Sequence, residues 1–103
     1  MSSIVKFSSP FIKGLTHSNT SVTATTGATA VTLLAKAQAH ERRAVVIIQN
    51  QSSANNVFLI LNDSATVGIL VPPLGSISLD NYNGIVKTYV SATSIVHLAY
   101  ATA

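Results

Sequence analysis

RRAVVIIQNQSSANNVFLILN, residues 42–62, is the stretch that decides the fold. Two apolar runs, residues 44–48 and 57–61, flank a polar loop at residues 50–56. The runs are rich in Val, Ile, Leu and Phe, which fit the half-buried surface of a sheet. The loop contains several Asn residues, and Asn tolerates the left-handed backbone conformations that tight connections use. The stretch therefore predicts a β-hairpin at the centre of an all-β domain.

Further strand-like segments surround this stretch. Ile77 and Leu79 alternate with polar residues and are expected to face inward. The sequence Asn-Tyr-Asn-Gly at 81–84 predicts a second hairpin, because Asn-Gly accepts positive φ. The connections are too short for crossovers, so antiparallel pairing is expected. Together these features predict an antiparallel β-sandwich, jelly-roll-like, with about eight short strands. The remaining strand candidates are residues 21–26, 29–34, 67–71, 76–80, 85–90 and 95–101.

One segment, residues 33–43, could instead form a helix. Its sequence LLAKAQAHERR is full of strong helix formers. No good N-cap precedes it and no apolar stripe follows it at helical spacing. We therefore predict that a strand ends near Ala35 and that a loop follows, with at most one helical turn at residues 38–42.

The chain divides into an extended N-terminal arm, residues 1–20, and a β-sandwich domain, residues 21–103. Residues 1–20 have no lasting period of 2 or 3.6. They can be a frayed terminus or an arm docked on a neighbour. The second interpretation is favoured because disordered tails usually avoid apolar residues. The expected oligomer or capsid contacts in the arm are Ile4, Val5, Lys6, Phe7, Phe11, Ile12, Lys13 and Leu15.

The composition is unusual for a soluble domain. Only 9% of residues are charged, 48% are hydrophobic and the mean hydropathy is +0.45. Average soluble proteins have roughly 25% charged residues. Either the surface is rich in Ser, Thr and Asn, or much of it is buried in an assembly. Residues 44–48 and 57–61 are apolar on both faces, which also points to cover from the same chain or from another subunit.

The charges and apolar runs exclude several partners. The net charge is +3 and the six basic residues are scattered, so a nucleic-acid footprint is not expected. No apolar run approaches the ~20 residues needed to cross a bilayer, and the first ten residues lack the core of a signal peptide. We therefore expect neither nucleic acid nor membrane as a partner. The chain contains no cysteine, hence no disulfide framework.

The sequence contains no recognisable catalytic constellation. It has no phosphate-binding GxxxxGK loop and no GxSxG nucleophile elbow. Glu41, Asp63 and Asp80 fall in separate turns, whereas a glycosidase needs two carboxylates facing each other. His17, His40 and His97 lack metal-ligand spacing. We expect no enzyme activity, no catalytic residue, no metal and no cofactor.

Three side-chain groups have interpretations that the sequence leaves open. His97 lies between Val96 and Leu98 and is interpreted as a hydrogen-bonded histidine on a strand face. Tyr82 and Tyr89 could form a sugar-binding platform or be ordinary sheet-surface residues. Arg42 and Arg43 could bind phosphate, but we expect them to fix the start of the central strand by bonding carbonyls or a carboxylate.

The order of these segments resembles the small β-sandwich virion proteins of tailed bacteriophages. The shared pattern is an Arg-Arg strand ending in (I/V)xNxS, an aromatic-aliphatic strand, a Pro/Gly-containing approach to a short strand, and a final G(I/V)…S-T…V stretch. It covers about residues 29–101. The Pro-Pro-Leu-Gly turn departs from the usual Pro-Gly pair. The matching residues are Arg42, Arg43, Ile48, Asn50, Ser52, Phe58, Pro73, Gly75, Asp80, Gly84, Ser91, Thr93 and Val96.

The resemblance implies a non-enzymatic structural protein, best described as a capsid decoration (cement) protein. Such a protein would sit on the exterior of the virion, bind the major capsid protein and form a homo-oligomer, which by analogy with the family is a trimer. The resemblance gives structural roles to Arg42, Arg43, Asn50, Pro73, Gly75 and Gly84. Two other functions stay open: a tail, head-tail connector or fibre-base component, and a carbohydrate-binding module.

Overall fold

The computed structural model describes residues 15–102, which form two four-stranded antiparallel sheets packed face to face. The first sheet has the order β1-β8-β3-β6, and the second has the order β2-β7-β4-β5. The prediction of an all-β antiparallel sandwich with eight strands is confirmed. The strands are β1 Thr16–Val22, β2 Val31–Leu34, β3 Arg43–Asn50, β4 Val57–Ile60, β5 Ile69–Val71, β6 Ser76–Asp80, β7 Val86–Val90 and β8 Ser94–Thr102, and a single turn of 3-10 helix spans Gly27–Thr29.

The strand pairing is nested along the chain. Strand β1 pairs with β8, β2 with β7, β3 with β6 and β4 with β5, all antiparallel. The additional pairs β3–β8 and β4–β7 join these couples into the two sheets. This connectivity is compatible with the jelly-roll-like arrangement that the sequence predicts.

The predicted central hairpin is wrong. Strands β3 and β4 are the two apolar runs, but they lie in different sheets. Each already has partners on both sides: β6 and β8 for β3, β5 and β7 for β4. Their connection is long enough to step across the ~10 Å between packed sheets. The pattern of two apolar runs joined by a polar loop is therefore equally consistent with an arch between sheets and with a hairpin.

The second predicted hairpin, at Asn-Tyr-Asn-Gly, is wrong for the same reason. Strand β6 belongs to the first sheet and β7 to the second. The residue with positive φ is Asn81, at 56°, and not the Asn83-Gly84 pair. Of the seven connections between described strands, only β4–β5 joins neighbours in one sheet.

The core lies between the sheets and is almost entirely aliphatic. Val46 and Ile48 of β3 are fully buried in it, while Val45 and Ile47 point to the outer face and are half-buried. Ile77 and Leu79 pack against the core, as the alternation predicts. The buried cluster consists of Val22, Val46, Ile48, Val57, Leu59, Val71, Val86, Val90, Val96 and Leu98.

The segment after β2 is a loop, as predicted. Strand β2 ends at Leu34 and no helix follows before β3. A single turn forms where the amide of Glu41 donates to the carbonyl of Gln38 at 3.0 Å. The Glu41 carboxylate also accepts from the Gln38 amide at 3.1 Å, which closes this turn.

The first strand lies earlier than the sequence predicts. Strand β1 spans Thr16–Val22, so residues 16–20 of the predicted arm belong to the sheet, and residues 23–26 do not form a strand. The polar sequence THSNTSV gives little strand signal by itself, but β8 supplies a full row of backbone partners from Thr16 to Val22.

Among residues 15–102, no helix has the length and hydropathy needed to cross a membrane.

Candidate functional site

Formal charge is segregated to one end of the sandwich. Antiparallel strands alternate in direction, so the connections β2–β3, β4–β5 and β6–β7 lie at one end and the other four at the opposite end. Nine residues of the chain are charged at neutral pH, and seven of them are described. All seven lie in the first three connections or in the adjoining strand segments: Lys36, Glu41, Arg42, Arg43, Asp63, Asp80 and Lys87. We call this the charged end.

The opposite end, here the uncharged end, is built from residues 23–30, 51–56, 72–75 and 91–93. These four connections contain Ser, Thr, Asn, Gln, Ala, Gly, Pro and Leu, and no Asp, Glu, Lys, Arg or His. Neutral hydroxyl and amide groups can hydrogen-bond a partner without the desolvation cost of a charge. The uncharged end is therefore a candidate contact surface.

Asn50 organises the uncharged end. Its side chain is fully buried at the end of β3. Its amide nitrogen Nδ2 lies 2.7 Å from the carbonyl of Asn55, 3.1 Å from that of Val71 and 3.1 Å from that of Pro72. Its Oδ1 accepts from the Ser52 amide at 2.9 Å. One side chain thus ties the β3–β4 connection to the β5–β6 connection, which agrees with the structural role that the resemblance implies for Asn50.

The β5–β6 connection is a tight turn with an exposed leucine at its tip. The Gly75 amide donates to the Pro72 carbonyl at 2.9 Å, and Leu74 has φ of 60°. Positive φ at this place, after Pro73, is the geometry of a type II turn, which normally has Gly or Asn there. Leu74 is 61% exposed, and its amide donates to the Ser52 carbonyl at 3.0 Å. A strained residue that presents a large apolar side chain to solvent is a candidate contact residue.

A shallow, open depression of about 520 Å³ lies beside this turn region, between the β3–β4 and β7–β8 connections. Its floor is made of hydroxyl and amide side chains, and the exposed Ile95 contributes its apolar part. The amide of Gln51 donates to the Ile95 carbonyl at 3.1 Å, which fixes the two connections to each other. Its lining residues are Ser21, Gln51, Ser52, Ser53, Thr93, Ser94 and Ile95.

At the charged end, Arg43 has a role that matches Asn50 at the other end. Its side chain is only 4% exposed. Nη1 donates to the Gly84 carbonyl at 2.8 Å and Nη2 donates to the Ala35 carbonyl. The guanidinium carbon lies 5.8 Å from the ring centre of Tyr100, within cation–π range. Arg43 therefore bonds carbonyls to fix the start of β3, as the sequence predicts, whereas Arg42 is exposed.

Tyr82 and Gly84 complete this end. The Tyr82 hydroxyl lies 2.7 Å from the Leu61 carbonyl and 2.6 Å from the Ile85 carbonyl. A Cβ on Gly84 would lie 2.4 Å from the Tyr82 hydroxyl oxygen, so any other residue there would displace the Tyr82 ring. Burial raises the pKa of the Tyr82 phenol; the Arg43 charge opposes this and the Asp63 charge adds to it. The buried neutral phenol of Tyr82 therefore keeps its full contribution to folding stability below pH ~10, the pKa of an ordinary tyrosine. That contribution is lost as the pH rises through the raised pKa of the folded state.

A third candidate surface lies on strand β5 and the loop before it. Sixteen consecutive residues, 64–79, carry no charged side chain. Within them, Val67 is 82% exposed, while Ile69 and Leu70 are each 52% exposed. Strand β5 is the edge of its sheet and carries none of the charged residues that often protect such edges, although it is only three residues long and is followed by two prolines. We call Val67, Ile69 and Leu70 the β5 patch.

Of the β5 patch, Leu70 lies on the outer face of the second sheet, whereas Ile69 points the same way as the buried Val71. Leu70 is paired with Phe58, and the ring of Phe58 stacks on Tyr89 with centroids 4.8 Å apart and planes 10° apart. The Gly68 amide donates to the Tyr89 hydroxyl at 3.1 Å, so the loop before β5 is anchored on this face. The result is a rigid surface of aromatic and aliphatic groups.

The predicted contact residues of the arm are mostly outside the described part of the chain. Ile4, Val5, Lys6, Phe7, Phe11, Ile12 and Lys13 lie there, and only Leu15 is described, with about half of its surface exposed. The sequence interpretation missed Leu74, Ile95 and the β5 patch. The uncharged run from 64 to 79 contains Leu74 and the β5 patch, but residues 44–62 form a longer uncharged run, so low charge alone does not single them out.

Two of the polar candidates, His17 and His97, lie near each other on the first sheet. His97 Nδ1 donates to Asn19 Oδ1 at 2.6 Å, so this histidine has the hydrogen-bond partner that was expected. The His17 ring lies 5.5 Å from the His97 ring, centre to centre. Within residues 15–102, no group of three or more His, Asp or Glu side chains could hold a metal ion.

The two tyrosines considered for sugar binding have different surroundings. Tyr82 packs against the core with its hydroxyl turned to backbone carbonyls, whereas Tyr89 stacks on Phe58 on the outer face of a sheet. They therefore do not share one platform.

Comparison with known proteins gives no identification. No protein-family model matches the sequence, and no curated protein is significantly similar to it.

Proposed function

We propose that this chain is a non-enzymatic structural protein of a bacteriophage virion. Its role is that of a capsid decoration protein: it binds the exterior of the assembled major capsid protein lattice and stabilises it, as a homotrimer. The starting point is the resemblance of residues 29–101 to small virion sandwiches. The observation that carries the proposal is the combination of uncharged surfaces and exposed large hydrophobic side chains on a rigid sandwich.

A role in binding and stabilising an assembled capsid is physically consistent with these features. A protein that binds only the assembled lattice stabilises it by mass action. Several weak contacts made by one oligomer add through effective concentration. Exposed apolar groups such as the β5 patch are a liability for a solitary protein, but they supply binding energy once a neighbour covers them. The nested strand pairing fits the jelly-roll-like sandwich expected of such a protein.

The direct test is binding to assembled shells of the major capsid protein of the same phage. We expect the purified chain to co-sediment with shells and to raise their resistance to heat. A second form should lack residues 1–14, since removal of residues 1–20 would also delete most of β1. If the arm makes capsid contacts, this form keeps its fold but binds shells more weakly.

Two outcomes would overturn parts of the proposal. No binding of the full chain to shells contradicts decoration. Antibody labelling at a single vertex or along the tail, and not over the shell, would assign the chain to the tail, connector or fibre base.

Self-association should depend on the β5 patch. Leu70→Lys places a charge on the exposed edge next to Phe58. Because burying that charge costs several kcal/mol, we expect the oligomer to dissociate at least tenfold more readily. Sedimentation velocity over a concentration series measures this change. Thr32→Lys, on an exposed residue of β2 at the other edge of the same sheet, is the matched control and should leave association unchanged.

The opposite pattern would exclude the β5 patch as the contact between copies. If Leu70→Lys leaves the oligomer intact, or if Thr32→Lys dissociates it equally well, the copies meet through another surface.

A further inference from the structure

We infer that the uncharged end is the surface that docks on the protein lattice, and that it meets an uncharged protein surface there. This inference rests on the proposed function and adds the orientation of the molecule and the chemistry of its partner. The charged end would then face away from the lattice. Neither the resemblance nor the low overall charge specifies an orientation; the segregation of charge does.

Charge is distributed unevenly between the two ends of the sandwich. None of the four connections at the uncharged end, 23–30, 51–56, 72–75 and 91–93, contains a charged residue. At the other end, two of the three connections carry charges, including the exposed Lys36, Arg42 and Asp63, and the third lies between Asp80 and Lys87. Loops that face water have no physical reason to avoid charge. Buried contact surfaces do, because each ion must lose its hydration, and the centres of protein interfaces are depleted of charged residues.

The uncharged end combines exposed apolar side chains with hydrogen-bonding groups, as contact surfaces do. Leu74 projects from a turn at 61% exposure, and Ile95 is 49% exposed beside the polar depression. An apolar centre surrounded by a polar rim is the usual arrangement of a protein interface. The Ser53 side chain is exposed at the same end and can donate or accept a hydrogen bond.

The connections at the uncharged end are held rigidly by hydrogen bonds. Leu74 is held at φ of 60° between the Gly75–Pro72 turn bond of 2.9 Å and its own amide bond to Ser52 of 3.0 Å. The buried Asn50 side chain fixes both connections from below. A surface that is already ordered loses little conformational entropy on binding. A leucine with positive φ is strained and lowers stability, and that cost is understandable if the exposed side chain inserts into a partner.

The nature of the partner follows from charge matching. A charged partner surface would be desolvated without any opposite charge on this end to compensate it. The lattice surface is therefore expected to be neutral, with backbone, amide or hydroxyl groups and an apolar recess for Leu74. Binding that lacks ion pairs should also change little with ionic strength, because salt screens only charges.

The experiment is a charge scan read out as affinity for assembled capsid shells. Ser53→Glu and Ser53→Lys introduce either sign at the uncharged end, and both are expected to weaken binding about tenfold or more. Ala39→Glu and Ala39→Lys, in the exposed turn at the charged end, are the matched controls and should bind like the unmodified chain. Affinity of the unmodified chain should change less than about threefold between low and moderate salt.

Leu74→Asn gives an independent measurement. Asn tolerates positive φ, so we expect thermal stability to be equal or higher while affinity for shells falls. A variant that simply misfolds would lose both, and thermal unfolding separates the two cases.

Each outcome is decisive. If the unmodified chain does not bind shells, the proposed function fails and this inference fails with it. If it binds and the Ser53 variants bind equally well, or the Ala39 variants lose affinity in their place, the function stands and the orientation is wrong. If one sign at Ser53 strengthens binding and the other weakens it, the partner surface is charged and its assigned chemistry is wrong.

Discussion

Asn50→Ala is expected to lower the free energy of unfolding by about 3–5 kcal/mol, because it leaves several buried polar groups without partners. The Nδ2 group serves the carbonyls of Asn55, Val71 and Pro72, and Oδ1 serves the Ser52 amide. Each orphaned buried group costs roughly 1–3 kcal/mol. A domain of this size has a total stability of about 5–15 kcal/mol, so the loss is a large fraction of it.

Urea unfolding followed by far-ultraviolet circular dichroism measures this loss, since the chain has no tryptophan. Asn55→Ala is the matched control: its Nδ2 donates one long, exposed bond of 3.3 Å to the Thr93 carbonyl. We expect it to cost less than about 1 kcal/mol. Equal losses in the two variants would mean that the Asn50 bonds contribute nothing special. Asn50→Asp should be at least as damaging at neutral pH, since a carboxylate would face three carbonyl oxygens.

Arg43→Ala is expected to cost a similar amount, about 3–5 kcal/mol, at the opposite end of the sandwich. It removes the donors to the Gly84 and Ala35 carbonyls and the contact with the Tyr100 ring. It also leaves a cavity where a side chain that is 4% exposed now packs. The connections β2–β3 and β6–β7 would lose their shared anchor.

The neighbouring arginine supplies the control. Arg42→Ala removes the same functional group from an exposed position and should change stability by less than about 0.5 kcal/mol. Arg43→Lys should recover only part of the loss, because an ammonium group lacks the planar fork that reaches two carbonyls. If Arg42→Ala and Arg43→Ala are equally destabilising, the loss reflects net charge and not these hydrogen bonds. Thermal or urea unfolding distinguishes the two explanations.

Strand content and inward-facing residues were predictable because period-2 alternation is a local property. Residues 76–80 were placed correctly, since Ser76–Asp80 is strand β6 and its Ile77 and Leu79 face the core. Strand partners were not predictable in this way. The choice between a hairpin and an arch over residues 51–56 depends on the strands that occupy the sides of β3, and these are β6 and β8 from later in the chain.

The candidate surfaces were only partly visible in the sequence. The carbonyl-bonding role of Arg43 was predicted from its chemistry and its place before the central strand, and a structural role for Asn50 came from the resemblance; the structure supplies their hydrogen bonds. Leu74 could not be singled out, because neither its positive φ nor its exposure can be read from Pro-Pro-Leu-Gly. The segregation of charge to one end could not be recognised from the sequence alone. It requires knowing that strand directions alternate without exception, so that every second connection falls at the same end.

The position of β8 has a consequence for how the protein forms. This strand, Ser94–Thr102, lies in the middle of the first sheet and separates β1 from β3. During synthesis on the ribosome, β1 and β3 emerge long before the strand that must join them. The nascent chain therefore has unpaired edges on β1 and β3 until β8 has left the exit tunnel. Folding should be slow for a domain of this length, because β1 and β3 can be joined only after β8 has been synthesised.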